Sequence, residues 1–403
     1  MKILLISQWF DPEPTFKGLA FANQLIKQGH QVTVITGFPN YPGGQLYKGY
    51  RIKPVQVEDI NGVKVYRVAL YPSHDKSAVG RVLNYLSFAF SALVMSLIKV
   101  WKHDVVYAYH PPLTVGLAAG IAARISGTPL VYDIQDLWPD TLAATGMINN
   151  QRALKVVSWF CQLSYKMASS LVVLSPGFKR LLVARGVSEQ KITVIPNWCD
   201  EPSLARFKQA QAFLPVDAFH VVFAGNMGPA QALEVVLAAA QLLSHQGSRV
   251  HFHFVGDGIS KIDLQQQVQH QQMSNVTFYP RVAMDEVGAY LTAADALLVH
   301  LRDDPLFAIT IPSKTQAYMA MGKPVIMAVK GDAADIVNYS GGGVIAQPEN
   351  AQSLAEVIEC LSAMSSQQLQ EMGQKAQDYY QEHLSLAVGV KHFEQEFLRL
   401  VAK

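Results

Sequence analysis

The sequence has few charged residues and few cysteines, and both shortages limit what the chain can be. Only 16% of its 403 residues are Asp, Glu, Lys or Arg, whereas half are hydrophobic, which excludes an intrinsically disordered chain. The three cysteines (Cys161, Cys199 and Cys360) are far apart in the sequence. They predict neither a disulfide framework nor a metal site and are typical of a reducing compartment. The length suits about two domains.

Several common motifs are also missing. The first apolar strand pattern is followed by Gln8-Trp9-Phe10-Asp11-Pro12 rather than by G-x-G-x-x-G with a later acidic residue, which disfavours NAD. There is no Walker A motif and no Gly-x-Ser-x-Gly nucleophile elbow. No basic run is interleaved with aromatic residues, so nucleic acid is not expected as a partner.

Residues 82–98 form an apolar segment without a formal charge. A membrane span needs about 20 strongly apolar residues, and Asn84, Ser87, Ser91 and Ser96 weaken this one. A buried or partly exposed amphipathic helix, a membrane-surface element and a true span remain open, and peripheral attachment is our working expectation. The apolar stretch after Lys2 is too short for a signal peptide, so we expect a cytoplasmic protein, peripheral at the inner membrane face.

Short apolar segments alternate with helical patterns along the whole chain. Strands are predicted at residues 2–7, 31–36, 63–68, 104–109, 129–134, 170–174, 191–195, 220–224, 249–255, 276–279, 296–300, 325–328 and 343–346, with a first helix over 15–28. This alternation predicts two doubly wound, Rossmann-like α/β domains that face a central cleft. We expect an N-terminal domain over 1–200 and a C-terminal domain over 201–384, with a hinge within 197–217. Residues 365–403 look helical. For their last part, 385–403, packing on the N-terminal domain and packing on the C-terminal domain are both open.

Charge is divided unevenly between the two halves. Residues 1–200 contain 20 Lys or Arg and 11 Asp or Glu, whereas the remainder contains 13 and 20. A basic N-terminal half suits an anionic partner such as an anionic leaflet or a lipid-linked phosphate. A solvated surface with uneven charge explains the same numbers.

Three glycine- or helix-start motifs stand out in the second half. They are Gly225-Asn226-Met227-Gly228, Gly256-Asp257-Gly258 and Pro312-Ser313-Lys314-Thr315. Glycines at strand ends let backbone N–H groups approach a ligand, and a helix N-terminus carries unpaired N–H groups and partial positive charge. Together they predict a pocket for a phosphorylated ligand such as a nucleoside diphosphate.

With residues 2–6, the Gly18 loop and the segment 318–325, these motifs resemble glycosyltransferase family 4, which has the GT-B fold. The resemblance spans essentially the whole chain. Residues 37–44, 71–75 and 133–139 are further similar to the O-antigen and capsule N-acetyl-L-fucosamine transferases.

The resemblance implies a nucleotide-sugar donor on the C-terminal domain, an acceptor on the N-terminal one, and no metal or other cofactor. It places Lys314 on the donor diphosphate and Gly18, preceded by Lys17, near it. Arg281 either lines the same cleft or faces the nucleotide, or is solvated.

The chain departs from the family pattern at several positions. Two glutamates common in the family correspond to about Ile309 and Ala317, and Pro229-Ala230-Gln231-Ala232 lacks the usual basic pair. Asp332 is a candidate for the missing acid. Asp303 and Asp304, adjacent in a polar loop, are more simply read as solvated than as a metal site.

On the N-terminal domain we predict Asp136 as the group that orients or deprotonates the acceptor hydroxyl. His110 is the second candidate, and Asp133 orients either of them. Gln135 stands where many family members have His, and glutamine cannot exchange a proton at neutral pH.

We therefore expect a glycosyltransferase that moves N-acetyl-L-fucosamine, or a related 6-deoxy amino sugar, from its UDP derivative to a polyprenyl-diphosphate-linked saccharide in O-antigen or capsule synthesis. A nucleotide-sugar 2-epimerase of the same fold and a non-catalytic nucleotide-sugar scaffold are the alternatives. An epimerase needs several acids or histidines around the sugar, and this chain offers few.

Overall fold

The computed structural model describes residues 1–73, 78–110, 112–144, 147–148, 150–205 and 217–402. The chain divides into two compact units. One, called the N-terminal unit below, contains Met1–Pro196 and Gly389–Lys403; the other, the C-terminal unit, contains Asn197–Val388. The chain thus crosses between units near the predicted boundaries at 200 and 384. Most of the expected hinge segment, residues 206–216, lies outside the described residues.

The N-terminal unit is built on an eight-stranded sheet. Its strands are β1 (Lys2–Ser7), β2 (Gln31–Gly37), β3 (Val55–Ile60), β4 (Val63–Val68), β5 (Val105–Tyr109), β6 (Leu130–Ile134), β7 (Ser170–Val173) and β8 (Ile192–Val194). They run in the order β3-β4-β2-β1-β5-β6-β7-β8, and all neighbouring pairs are parallel except β3 with β4. The seven predicted strands are confirmed within two residues at either end.

Strand β3 was missed. Its sequence Val55-Gln56-Val57-Glu58-Asp59-Ile60 has only exposed or half-exposed side chains. It lies at the sheet edge and joins β4 through the Asn61-Gly62 turn. Because both its faces meet solvent, it lacks the buried apolar run by which the other strands were recognised.

Six helices connect these strands: α1 (Leu19–Lys27), α2 (Ala78–Lys99), α3 (Leu113–Ser126), α4 (Asp140–Ala144), α5 (Gln151–Met167) and α6 (Pro176–Ala184). Short 3₁₀ turns follow at Val100–Lys102 and Glu189–Lys191. The prediction that α1 starts at residue 15 is wrong. The carboxylate of Asp11 accepts the N–H of Leu19 at 2.6 Å, so residues 15–18 form the loop that precedes the helix.

One side of helix α2 is buried against the sheet. Asn84, Phe88, Ala92 and Ser96 recur every fourth residue and are all buried. Asn84 accepts from Gln8 Nε2 at 2.5 Å and donates to the Tyr71 carbonyl at 2.7 Å. Among the described residues, the helical stretch Val79–Lys102 is the one long and apolar enough to cross a membrane, a test that core helices also pass.

The C-terminal unit carries a six-stranded, all-parallel sheet. Its strands are β9 (Phe219–Ala224), β10 (Val250–Val255), β11 (Val276–Tyr279), β12 (Ala296–His300), β13 (Val325–Ala328) and β14 (Gly343–Ile345). The strand order is β11-β10-β9-β12-β13-β14. Strands β10 and β11 are added on one side of β9, and strands β12 to β14 are added on the other. This is the doubly wound arrangement predicted, in which ligands bind beyond the carboxyl ends of the strands.

The helices of this unit are α7 (Glu201–Ala205), α8 (Leu233–His245), α9 (Lys261–His270), α10 (Met284–Ala293), α11 (Pro305–Ala308), α12 (Ser313–Ala320), α13 (Asp332–Ser340), α14 (Ala351–Ser362) and α15 (Ser366–Tyr379). A π-helical turn at Tyr380–Leu384 precedes the last helix, α16 (Leu386–Val401). The stretch 365–403, expected to be helical, therefore consists of two α-helices joined by this π-helical turn. Tyr380 donates to Glu201 Oε1 at 2.7 Å, and the same oxygen accepts the N–H of Leu386 at 2.8 Å, which fixes the turn.

Most of α16 belongs to the N-terminal unit. Phe393 packs against Phe21 and Tyr107, with ring centroids 5.3 and 5.5 Å apart, and Glu394 Oε1 lies 2.8 Å from His30 Nε2. Helices α1 and α16 thus cover one face of the eight-stranded sheet. Right-handed crossovers put α2, α3 and α5 on the opposite face, where α2 packs on α3 and α3 on α5.

Candidate functional site: a glycine-lysine rim and a buried carboxylate centre

In the C-terminal unit the two predicted glycine turns are in direct backbone contact. A Cβ on Gly256 would lie 2.1 Å from the carbonyl oxygen of Gly225, and one on Gly258 would lie 2.2 Å from that of Met227. The N–H of Met227 donates to the Asp257 carbonyl at 2.8 Å. Any side chain at Gly256 or Gly258 would separate the strand ends of β9 and β10, so glycine is required there for close approach.

Lys314 joins the same cluster from the start of α12. A Cβ on Gly225 would come within 2.5 Å of Lys314 Cε, and Lys314 Nζ lies 3.5 Å from the centre of the Phe223 ring. Burial lowers the pKa of this ammonium to about 7, because a charge in a poorly solvated place is disfavoured. The three predicted motifs therefore meet at one rim, called the glycine-lysine rim below.

Helix α12 is anchored so that its N-terminus stays at this rim. The Tyr318 hydroxyl accepts the N–H of Ala224 at 2.8 Å and donates to its carbonyl at 3.2 Å. Pro312 precedes the helix, and no side chain caps it. In the part of the chain that is described, the buried Thr315 Oγ1 and Gln316 Oε1 have no hydrogen-bond partner. Since buried polar groups are normally satisfied, these two atoms suit a polar ligand.

Gln231 takes the place of the missing basic pair. Its Oε1 accepts the N–H of Gly228 at 3.0 Å and lies 3.4 Å from Nδ2 of the exposed Asn226. Its carbonyl lies 2.7 Å from Nδ1 of His300. A carbonyl can only accept, so Nδ1 carries the proton and Nε2 is a bare acceptor. That buried Nε2 has no partner among the described residues, and burial lowers the pKa of the ring.

Arg281 and Asp332 do not take part in the contacts that join Gly225, Gly256 and Lys314. Arg281 is exposed, two residues beyond β11. Asp332 is buried as the first residue of α13, after Gly331, where a Cβ would meet the Ala308 carbonyl at 2.0 Å. Their predicted roles in donor binding stay predictions.

The adjacent acids Asp303 and Asp304 have structural partners. Asp303 pairs with Lys330, and Asp304 caps α11 by accepting the N–H of Leu306 at 2.7 Å. Within the described ranges, no group of three or more His, Cys, Asp or Glu is placed to hold a metal ion.

In the N-terminal unit, Asp133 forms a buried carboxylate centre at the end of β6. Its two oxygens accept from Tyr107 Oη and Gln135 Nε2, each at 2.6 Å. Burial raises the pKa of Asp133, an effect that the nearby Lys17 opposes. Lys17 is itself fully buried, with its pKa lowered by burial and Nζ 4.8 Å from the Phe393 ring centre. Asp133 therefore has the surroundings of a structural anchor as well as of an orienting group.

The two predicted catalytic residues both contact Trp138. The His110 ring contacts the Trp138 ring edge-on, 5.4 Å between centroids, and the Asp136 carbonyl accepts the N–H of Trp138 at 3.1 Å. Burial lowers the pKa of His110 to about 3 and raises that of Asp136. His110 is thus neutral at pH 7, and its Nδ1 has no partner within the described residues.

Asp133 reaches His110 through the backbone, since its carbonyl accepts the His110 N–H at 3.0 Å. The predicted orienting role of Asp133 stays a prediction for both candidates.

Glu13 is a buried acid that the sequence analysis missed. It accepts backbone N–H groups of Asn40, Tyr41 and Phe10 at 2.8, 2.7 and 3.3 Å, and burial raises its pKa to about 7. It ties the segment 37–44 to the loop after β1, where Trp9 stacks on Tyr41 at 4.4 Å. Its position one residue before Pro14, in a loop at the carboxyl end of the first strand, was the available signal.

Gly18, predicted to approach the donor, is crowded by its own loop. A Cβ there would lie 2.2 Å from Asp11 Oδ2, the atom that accepts the Leu19 N–H. The contact with Asp11 is therefore a steric reason for glycine at this position, in addition to the predicted approach to the donor. Of the segment 71–75, His74 and Asp75 lie outside the described residues.

Comparison with known families assigns both units. Residues 19–198 match the "Glycosyl transferase 4-like domain" model, and residues 218–363 match "Glycosyl transferases group 1". The chain is a glycosyltransferase. It contains a glycosyl transferase 4-like domain followed by a glycosyl transferases group 1 domain, in agreement with the sequence resemblance.

Curated relatives share this assignment over most of their length. WcaI of Escherichia coli K12, whose name assigns it to colanic acid biosynthesis as a glycosyl transferase, is 26% identical over 89% of this chain and 91% of its own. WbjE of Pseudomonas aeruginosa, also named as a glycosyltransferase, is 23% identical over 75% of this chain and 76% of its own.

Solved structures confirm the GT-B fold of this glycosyltransferase. Sucrose-phosphate synthase from Thermosynechococcus elongatus superimposes with a TM-score of 0.74 at 18% identity, covering 100% of this chain and 99% of that one. HepE of Anabaena, solved in complex with UDP, gives a TM-score of 0.68 at 16% identity, covering 99% and 100%.

Proposed function

We propose that this glycosyltransferase moves N-acetyl-L-fucosamine, or a related 6-deoxy amino sugar, from its UDP derivative to a polyprenyl-diphosphate-linked saccharide. The product enters a surface polysaccharide of the O-antigen or capsule type. The relative WcaI is named for colanic acid biosynthesis, which supports the pathway class. The resemblance of residues 37–44 and 133–139 to fucosamine transferases supports the sugar.

The glycine-lysine rim carries this proposal. The N-terminus of α12 and the Lys314 ammonium lie beside the two glycine turns, where strands β9 and β10 end. Such a set neutralises the charge that grows on a departing diphosphate, without a metal. The solved complex of HepE contains UDP, and the same nucleotide is proposed here.

The reaction is a substitution at the anomeric carbon. The oxygen of an acceptor hydroxyl attacks that carbon, the bond from the carbon to the β-phosphate oxygen breaks, and UDP leaves with the bonding electrons. The hydroxyl proton passes to Asp136, whose raised pKa makes it a better proton acceptor than an ordinary aspartate.

Lys314 stabilises the leaving diphosphate, and a bound phosphate raises its pKa from about 7, so the lysine is charged when the donor is bound. The neutral His110 is the second candidate for the proton acceptor, although its pKa of about 3 makes it the weaker base.

The test is a donor and acceptor screen. Purified protein is incubated with UDP-sugars, UDP-N-acetyl-L-fucosamine among them, and a polyprenyl-diphosphate-linked saccharide; UDP release and product mass are recorded. The proposal predicts a product heavier by one 6-deoxy amino sugar. Absence of UDP release with every donor and lipid-linked acceptor would contradict it, and transfer of another sugar class would contradict the donor assignment.

A further inference from the structure

The exposed apolar side chains of the molecule are concentrated on one face. Of the 25 large hydrophobic side chains that are exposed in the described residues, 13 lie on α2, α3, α5 or the turn after α2. They are Val79, Val82, Leu83, Leu86, Phe90, Val94, Ile98, Trp101, Ile121, Ile125, Val156, Trp159 and Phe160. These three helices are neighbours over the same face of the eight-stranded sheet, and we call their outer surface the apolar helical face.

The outer side of α2 is apolar, although its inner side already serves the core. Leu86, Phe90, Val94 and Ile98 recur every four residues and are 55%, 70%, 45% and 59% exposed. Half a turn away, Phe88 and Ala92 are fully buried. A helix held by its inner side to a folded sheet cannot leave it to span a bilayer. Its outer stripe nevertheless exposes a row of large apolar side chains, and apolar patches of this kind mark protein or membrane interaction sites.

The charge on this face has one sign. Helices α2, α3 and α5 contain no Asp or Glu, although the chain as a whole has 31. They carry six cations, at Arg81, Lys99, Arg124, Arg152, Lys155 and Lys166, and Lys102 follows α2. Two of the exposed aromatic side chains, Trp101 and Trp159, are of the type that favours the level of lipid headgroups.

A face that combines exposed apolar side chains with cations and tryptophans, and that has no acid on any of its three helices, is complementary to an anionic bilayer surface. We propose that the apolar helical face docks the N-terminal unit onto anionic lipid, lying on the bilayer without crossing it. In the proposed function, the lipid-linked acceptor lies in the same kind of bilayer surface on which this face docks. The docking proposal rests on exposed side chains and charges, not on that function.

The apolar part is tested by vesicle co-sedimentation. Full-length protein is mixed with vesicles of phosphatidylglycerol and phosphatidylcholine, or of phosphatidylcholine alone. The wild type is expected to sediment with the anionic vesicles, and the double variant Leu86→Ser/Phe90→Ser to bind them about tenfold or more weakly. The matched control Ile262→Ser/Tyr339→Ser removes side chains that are 66% and 76% exposed in the C-terminal unit, and it is expected to bind like wild type.

The charge part uses Arg152→Glu/Lys155→Glu, both exposed on α5. We expect binding to anionic vesicles to fall about tenfold and the wild-type binding to weaken in about 0.5 M salt because of screening. The control is Lys27→Glu, an exposed cation at the end of α1, on the opposite face of the sheet; it is expected to change binding little.

Two further measurements keep the outcomes distinct. Thermal unfolding confirms that each variant is folded, and turnover with a short-chain, water-soluble acceptor shows that the chemistry is unaffected. Wild-type protein that stays in the supernatant with anionic vesicles would overturn the proposal. So would a wild-type dimer that Leu86→Ser/Phe90→Ser dissociates without any loss of vesicle binding, because the face would then serve a second copy. Failure of the soluble-acceptor assay in the wild type would instead count against the proposed function.

Discussion

The two units place chemically different groups at the carboxyl ends of their sheets. In the C-terminal unit the site is mostly backbone. Its glycine turns are so close that a Cβ added at Gly256 or Gly258 would lie 2.1 or 2.2 Å from a carbonyl oxygen, and they adjoin a helix N-terminus with Lys314. In the N-terminal unit the site is a set of buried side chains, Asp133, Lys17, His110 and Glu13, each with a pKa shifted by burial. The first arrangement suits a fixed, charged ligand, and the second suits the handling of a proton.

Removal of the proposed proton acceptor distinguishes the roles of the two units most clearly. Asp136→Asn keeps the shape of the side chain but cannot take a proton at neutral pH. We expect kcat to fall by about 10³-fold, whereas the affinity for UDP, which belongs to the other unit, stays within about twofold. Steady-state turnover and calorimetric titration of UDP give the two numbers. Turnover close to wild type would move the role to His110, which His110→Ala tests in the same way.

Removal of Lys314 should show the opposite pattern. Lys314→Ala deletes the buried ammonium of the glycine-lysine rim, and we expect kcat/KM to fall by about 10²-fold together with a weaker affinity for UDP. Lys330→Ala is the matched control, because Lys330 is an exposed lysine of the same unit that pairs with Asp303. Equal losses of kcat/KM and of UDP affinity in both variants would mean that Lys314 acts only through the net charge of the unit.

The backbone character of the C-terminal site can be tested by adding one methyl group. Gly256→Ala puts a Cβ 2.1 Å from the Gly225 carbonyl at a φ of +139°, whereas Gly247→Ala, at a φ of +72°, meets nothing within 4 Å. We expect the free energy of unfolding to fall by about 1 kcal/mol in Gly247→Ala. In Gly256→Ala we expect it to fall by at least about 3 kcal/mol, and we expect UDP binding to be lost. Urea unfolding measures both. Similar losses of stability in the two variants would show that the contact between the two turns contributes little to the folded state.

The smallest expected effect is a pH dependence of UDP binding. The pKa of Lys314 is lowered to about 7 in the free protein, and a bound diphosphate raises it, so binding takes up a proton above pH 7. UDP affinity should therefore be insensitive to this group well below pH 7 and fall as the pH rises above it, by less than tenfold per pH unit.

Lys314→Arg provides the comparison for that prediction, because a guanidinium stays charged throughout the range. Calorimetry in buffers of different ionisation enthalpy should show proton uptake at pH 8 in the wild type and less in Lys314→Arg. Identical proton uptake in the two proteins would assign it to another group.

The difference between the halves also explains what could be predicted from the sequence. Glycines at strand ends and a Pro-Ser-Lys helix start are visible as local patterns, so Gly225, Gly256 and Lys314 were grouped correctly before their contacts were known. Strands with buried, apolar residues were found within two residues. The exposed strand β3 had no such signal, and the start of α1 depends on Asp11, eight residues earlier.

Side chains that act through long-range burial were not predictable in the same way. Glu13 matters because Asn40 and Tyr41 fold back onto it, and His300 because Gln231 lies beside it. Apart from the position of Glu13 in a loop at the carboxyl end of the first strand, nothing local distinguishes such residues from an ordinary loop acid or strand histidine. Their environment arises only when segments distant in sequence pack together.

Hydrogen exchange of the backbone amides with and without UDP tests the glycine-lysine rim most directly. The account predicts that UDP slows exchange in three short segments, 225–228, 256–258 and 313–315, and that Lys314→Ala weakens this protection in all three. Protection confined to other parts of the chain, or none at saturating UDP, would contradict the assignment of this rim as the nucleotide site.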